Sequence, residues 1–172
     1  YDQAKLLNPF IDFFYFDVLS SVREFKLAIE AIENFSKPYL VGAHISEGIK
    51  LPSGERVSEI ISKIDHKNLL GLILSCISPE NYEKNLTEVK SLGIPFGFKL
   101  NGFKTTSPDK GYTNNYNKSM SGNPNEFLGQ RKDLTPKNMA LIVKKFKEAG
   151  ATILGGCCET RPSHIKEISK LK

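Results

Sequence analysis

Leu69-Leu70-Gly71-Leu72-Ile73-Leu74-Ser75-Cys76 is a short apolar run that stops on a cysteine. A second run of the same type, Ile153-Leu154-Gly155-Gly156, stops on the neighbouring pair Cys157-Cys158. Runs this short and this continuously apolar read as strands buried on both faces, as in a parallel sheet with helices packed against it. All strands of such a sheet end on one side, so residues far apart in sequence can converge there.

The cysteines admit two readings. Cysteine is among the most buried residue types, so Cys76 could be a small core residue and Cys157-Cys158 an incidental pair. Alternatively, three thiolates at the mouth of a parallel sheet, in a chain with 3 cysteines, suit a zinc ion that keeps one coordination position open. The placement of all three at strand ends favours zinc.

Outward from these runs, alternating periods mark five strand–helix units. The first strand spans Ile11 to Asp17, and its helix carries Val22, Phe25, Ile29, Ile32 and Phe35 on one stripe. The second strand spans Pro38 to Ile45; a polar loop with Pro52-Ser53-Gly54 and a helix from Arg56 to Asp65 lead to the third. A helix from Pro79 to Leu92 closes at Gly93 before the fourth strand, Ile94 to Leu100. A helix from Pro136 to Ala149 precedes the fifth strand, Thr152 to Gly155, and a last helix begins at Pro162. Between them, Asn101 to Leu134 is polar, has no apolar period, and reads as a lid or an insertion.

The class is therefore α/β with parallel strands. The sheet is either open and doubly wound or part of a TIM (β/α)8 barrel. A barrel needs roughly 250 residues, and five units in 172 residues is the share expected of five-eighths of one. Tyr1-Asp2-Gln3-Ala4-Lys5 has no initiator Met and reads as the middle of a helix, so the chain is expected to be a piece of something longer. That favours a partial barrel.

Composition limits the partners. At 40% apolar residues the chain suits one globular domain, and no apolar stretch approaches a bilayer span, so no membrane is expected. The net charge of +5 comes from 24 Lys and Arg against 19 Asp and Glu. The cations are nearly all Lys spread along helix faces, which reads as solvated surface rather than a nucleic-acid stripe. The cysteines form no disulfide framework, so a reducing cytoplasm is the expected setting.

Gly155-Gly156-Cys157-Cys158-Glu159-Thr160-Arg161-Pro162-Ser163-His164-Ile165 closely resembles the GGCCGT-x-P-x-H-I signature of the zinc-dependent homocysteine S-methyltransferase family. Cys76, in Ser75-Cys76-Ile77-Ser78-Pro79, sits where that family has an Asn-Cys strand end. Asn101-Gly102, after Lys99-Leu100, matches its Tyr-Pro-Asn strand end, and Asp12 with Phe16-Asp17 resembles its Val-Asp…Glu-Thr strand. The resemblance covers essentially residues 1–172, which would be the C-terminal five-eighths of a homocysteine-binding barrel, units four to eight.

The resemblance implies roles. Cys76, Cys157 and Cys158 would ligate Zn2+, and the substrate thiol would take the fourth position. Asp17 and Asn101 would bind substrate, Asp17 through the homocysteine amine. The activity implied is methyl transfer from a small-molecule donor to homocysteine, giving methionine, with the fragment alone inactive. The alternatives are the homocysteine module of a cobalamin-dependent methionine synthase and a non-catalytic zinc-binding barrel homologue. Three neighbours depart from the pattern: Asp17 for Glu, Ser75 for Asn and Glu159 for Gly. His164 belongs to the motif but reads as structural, and neither His44 nor His66 is an expected ligand.

Overall fold

The computed structural model describes residues 1–64, 67–104 and 128–171. Its strands are β1 (Phe14–Leu19), β2 (Tyr39–His44), β3 (Leu69–Ile77), β4 (Phe96–Leu100) and β5 (Ile153–Gly156). Its α-helices are α1 (Asp2–Leu7), α2 (Val22–Glu30), α3 (Val57–Ile61), α4 (Pro79–Ser91), α5 (Pro136–Glu148) and α6 (Pro162–Ile168). The strands form one sheet in the order β1-β2-β3-β4-β5, with every pairing parallel. A doubly wound sheet requires the order to reverse; this one runs in sequence, as barrel units do.

The register decides which side chains meet. On the helix side, Val41, Leu72, Leu74, Phe98 and Leu100 join Phe25, Ile60, Tyr82, Val143 and Phe146 in one buried cluster. Its centre is aromatic: the Tyr82 ring lies 4.8 Å from Phe98 and 4.7 Å from Phe146, centroid to centroid. On the other side, Ser75 stands level with Lys99, and Lys99 with Gly155. A Cβ on Gly42 would lie 2.5 Å from the Ser75 hydroxyl and 2.9 Å from the Tyr15 hydroxyl. Glycine there makes room for a polar cluster.

The helices start where local chemistry satisfies their first amides. Ser21 accepts from the Glu24 amide, Ser78 from that of Asn81 and Thr135 from that of Asn138. Pro79 and Pro136 follow two of these caps, at the position where a missing N–H costs nothing.

Several boundaries differ from expectation. The first strand begins at Phe14 rather than Ile11, because pairing starts with the Phe14 amide donating to the Pro38 carbonyl. The stripe from Val22 to Phe35 is split between α2 and a 3-10 turn, Glu33–Phe35, that ends at Ser36 with φ 52°. Ile32 nonetheless stays buried. The helix read as Arg56 to Asp65 is the shorter Val57–Ile61, and Asp65 and His66 lie outside the described residues. So does most of the segment read as a lid or insertion, residues 105–127. Its flanks meet in an antiparallel bridge between Phe103 and Gln130. No described helix is long and apolar enough to cross a membrane.

Candidate metal centre

β3 and β4 pair in step as far as Ser75 and Lys99, then jump to Ile77 and Leu100. Cys76 is the extra residue, in the left-handed region at φ 53°. Alternation along a strand would turn Cys76 away from the face that Ser75 occupies. The bulge turns it back toward the end of β5, which is what bulges beside functional sites do.

The β5 end is tied down by the backbone. The Cys157 amide donates to the Leu100 carbonyl at 2.7 Å, and the Gly102 amide donates to the Cys158 carbonyl at 2.9 Å. Glu159 then takes φ 61°, and the Thr160 hydroxyl donates to the Cys157 carbonyl at 2.5 Å.

These constraints gather the sulfurs. The Cys76 Sγ lies 3.7 Å from the Cys158 Sγ, and the Cys157 Sγ lies 3.9 Å from the Cys158 Sγ. All three fall within 4.8 Å of one another, partly exposed and unbridged. A tetrahedral zinc with Zn–S of ~2.3 Å sets its sulfurs about 3.8 Å apart, so the triangle fits that ion in both size and donor chemistry.

Thiols this close titrate together. A hydrogen bond from Cys76, with the Cys158 amide and the charge of Lys99 adding to it, brings the Cys157 thiol down to about 6 against the pull of burial. Cys76 moves up, through its hydrogen bond with Cys157 and its burial, and Cys158 moves up chiefly through burial.

The structure gives Asn101 a definite place. It is fully buried, its amide nitrogen donating to the Cys76 carbonyl at 2.6 Å and its oxygen accepting from the Phe103 amide at 3.3 Å. The same nitrogen stands 3.9 Å from the Cys76 Sγ. Asn101 thus clamps the left-handed Cys76.

Asp17 closes a neighbouring polar cluster. Its Oδ1 accepts from the Tyr15 hydroxyl at 2.6 Å and the Ser75 hydroxyl at 2.7 Å, while its Oδ2 pairs with the Lys99 ammonium. Burial alone would raise this carboxyl, but the hydrogen bonds from Lys99, Tyr15 and Ser75 outweigh it and hold it below the ordinary range. Burial and the Asp17 carboxylate push the Tyr15 hydroxyl up. Next to Asp17, Val18 sits at φ 60° in a bulge of β1, an outlier for a β-branched residue. Val18, Cys76 and Glu159 all flank this site, where such backbone strain concentrates.

Sequence reading missed Tyr15 and Lys99. A signal existed for both: Tyr15 is two residues from Asp17, hence on its face, and Lys99 is the charged residue of an otherwise apolar strand. His164 is structural in detail. Its Nδ1 accepts from the Arg161 amide and its Nε2 meets the Leu134 carbonyl, each at 3.0 Å. His44 ends β2 with its Nε2 at 3.0 Å from the Ser46 hydroxyl.

Known proteins resemble this chain over nearly its whole length. Homocysteine S-methyltransferase 1 of Saccharomyces cerevisiae is 28% identical over 174 residues, covering 94% of this chain and 48% of the relative. Homocysteine S-methyltransferase 2 of the same yeast is 25% identical, with the same coverage. The chain spans about half the length of the curated relatives it matches. In fold it is similar to the apo homocysteine methyltransferase MmuM of Escherichia coli, with a TM-score of 0.70 at 18% identity, covering 99% of this chain and 54% of that one. The family model described as homocysteine S-methyltransferase matches residues 1–171, so the chain with this sulfur triangle at its strand ends belongs to the homocysteine S-methyltransferase family.

Proposed function

We propose that the protein containing this chain transfers a methyl group from a small-molecule donor to the thiol of homocysteine, giving methionine, with zinc held by Cys76, Cys157 and Cys158. The observation that carries this reading is the triangle of sulfurs within 4.8 Å at the ends of β3 and β5. Residues 1–172 would form units four to eight of a homocysteine-binding barrel, a reading supported by the sequential parallel order of the strands.

Zinc, when bound, would supply a substrate thiol kept deprotonated and nucleophilic near neutral pH. Residues of this chain would do the rest. Asn101 would fix the Cys76 backbone, and Tyr15 and Ser75 would hold Oδ1 of Asp17 so that Oδ2 faces the substrate amine. In the transfer, a carbon–sulfur bond forms at homocysteine, the bond from methyl to donor breaks, and the donor leaves with the bonding pair. The thiol proton passes to solvent.

The test is zinc stoichiometry beside methionine formation in the full-length protein, using labelled sulfonium, betaine and methylfolate donors. The expected result is one zinc per chain and methionine formed from a sulfonium or betaine donor. Transfer only from methylfolate with cobalamin would assign the chain to a modular methionine synthase. Zinc without methionine from any donor would leave a non-catalytic zinc-binding barrel.

A further inference from the structure

The Asp17 carboxylate is held asymmetrically. Two hydroxyls, Tyr15 and Ser75, anchor Oδ1, and Oδ2 is left to the Lys99 ammonium. That ammonium also stands 5.4 Å from the centre of the Tyr15 ring. The two charged side chains remain 24% and 34% exposed, so both ends of the pair meet solvent. Lys99 lies level with Gly155, two residues before Cys157 and a step of about 6.6 Å along a parallel strand. An anion and a cation therefore stand side by side, the anion bonded to Ser75, the residue before Cys76.

We propose that Lys99 is a specificity residue that binds the α-carboxylate of the thiol substrate while Asp17 binds its ammonium. This rests on the methyltransferase reading above and deepens it. An α-amino acid carries a cation and an anion on one carbon, and Asp17 with Lys99 presents the complementary pair. Exchanging one internal ion pair for two with the substrate leaves no charge unmatched. A thiol with only an amine or only an acid must compete with the internal pair and strand one member of it, which selects against it.

The experiment is calorimetric binding of three thiols to the zinc-loaded full-length protein: homocysteine, mercaptopropylamine (no carboxylate) and mercaptobutyrate (no amine). The unaltered protein should bind homocysteine more tightly than either analogue; equal affinities would overturn the proposal. Lys99→Met should weaken homocysteine by roughly tenfold or more, leave mercaptopropylamine no weaker, and keep its zinc. Lys99→Arg should restore most of the homocysteine affinity. An equal loss for homocysteine and mercaptopropylamine with zinc retained would make Lys99 a structural partner of Asp17 and overturn the proposal alone. If the unaltered protein binds none of the thiols, the methyltransferase reading fails first and the proposal goes with it.

Discussion

The sulfur of Cys76 lies 3.7 Å from that of Cys158, although 82 positions separate them in the chain. They meet because β3 and β5 both flank β4 and because the bulge at Cys76 adds one residue to β3 just before its end. Neither feature alone would close the triangle.

Replacing Cys76, Cys157 or Cys158 by Ala leaves two thiolates, too few for a tight site. Each variant of the full-length protein is expected to lose most of its zinc and its methyl transfer, read by elemental analysis and methionine formation. Full zinc in any one of them removes that residue from the ligand set.

Asp17→Ala should act differently. Zinc is expected to stay bound while the KM for homocysteine rises and kcat changes little, the mark of a lost ground-state contact. An unchanged KM returns Asp17 to a purely structural role.

Asn101→Ala takes the side-chain acceptor from the buried Phe103 amide and the side-chain donor from the part-buried Cys76 carbonyl. The expected cost is about 1–3 kcal/mol for the buried amide, read from urea unfolding, with weaker zinc retention as the clamp on Cys76 is lost. A stability loss with zinc affinity intact would make the clamp irrelevant to the metal.

Phe98→Ala serves as the contrast. It empties the middle of the Tyr82–Phe98–Phe146 cluster and should cost about 3–5 kcal/mol while leaving the zinc content of the folded fraction unchanged. Loss of zinc at temperatures where the variant is still folded would show that the core and the site are coupled.

Glu88 predicts a pH dependence. Burial would raise its carboxyl, but Arg56 at 2.8 Å and both the amide and hydroxyl of Ser58 outweigh it and lower it. The folded value thus lies below the unfolded one, about 4.3. Its stabilisation is present above that pH and is lost as pH falls through the folded value. Glu88→Gln should flatten the acid side of a plot of stability against pH, and an unchanged slope would refute the assignment.

The parallel strands were legible because each is a short apolar run punctuated by Gly or Pro, and the starts of α4 and α5 because each opens on a proline, Pro79 and Pro136. The cysteines were legible from their placement at strand ends. What stayed hidden depends on pairing. Apolarity alone started β1 at Ile11, whereas its partner starts only after Pro38. The Lys99–Asp17 contact joins residues 82 positions apart and needs the register of three strand pairings to be foreseen. Asn101 stood out as a polar strand-end residue, but nothing local to it said that its amide would be spent on Cys76.

Cys76 stands in a backbone conformation that glycine adopts freely and cysteine does not. Replacing it with glycine would relieve strain on the order of 1 kcal/mol while deleting a sulfur from the triangle. A selection for heat resistance alone would therefore push against the chemistry at this position. On the zinc reading proposed above, stabilised variants should be screened with a requirement for bound zinc, since the simplest local improvement would also remove a ligand.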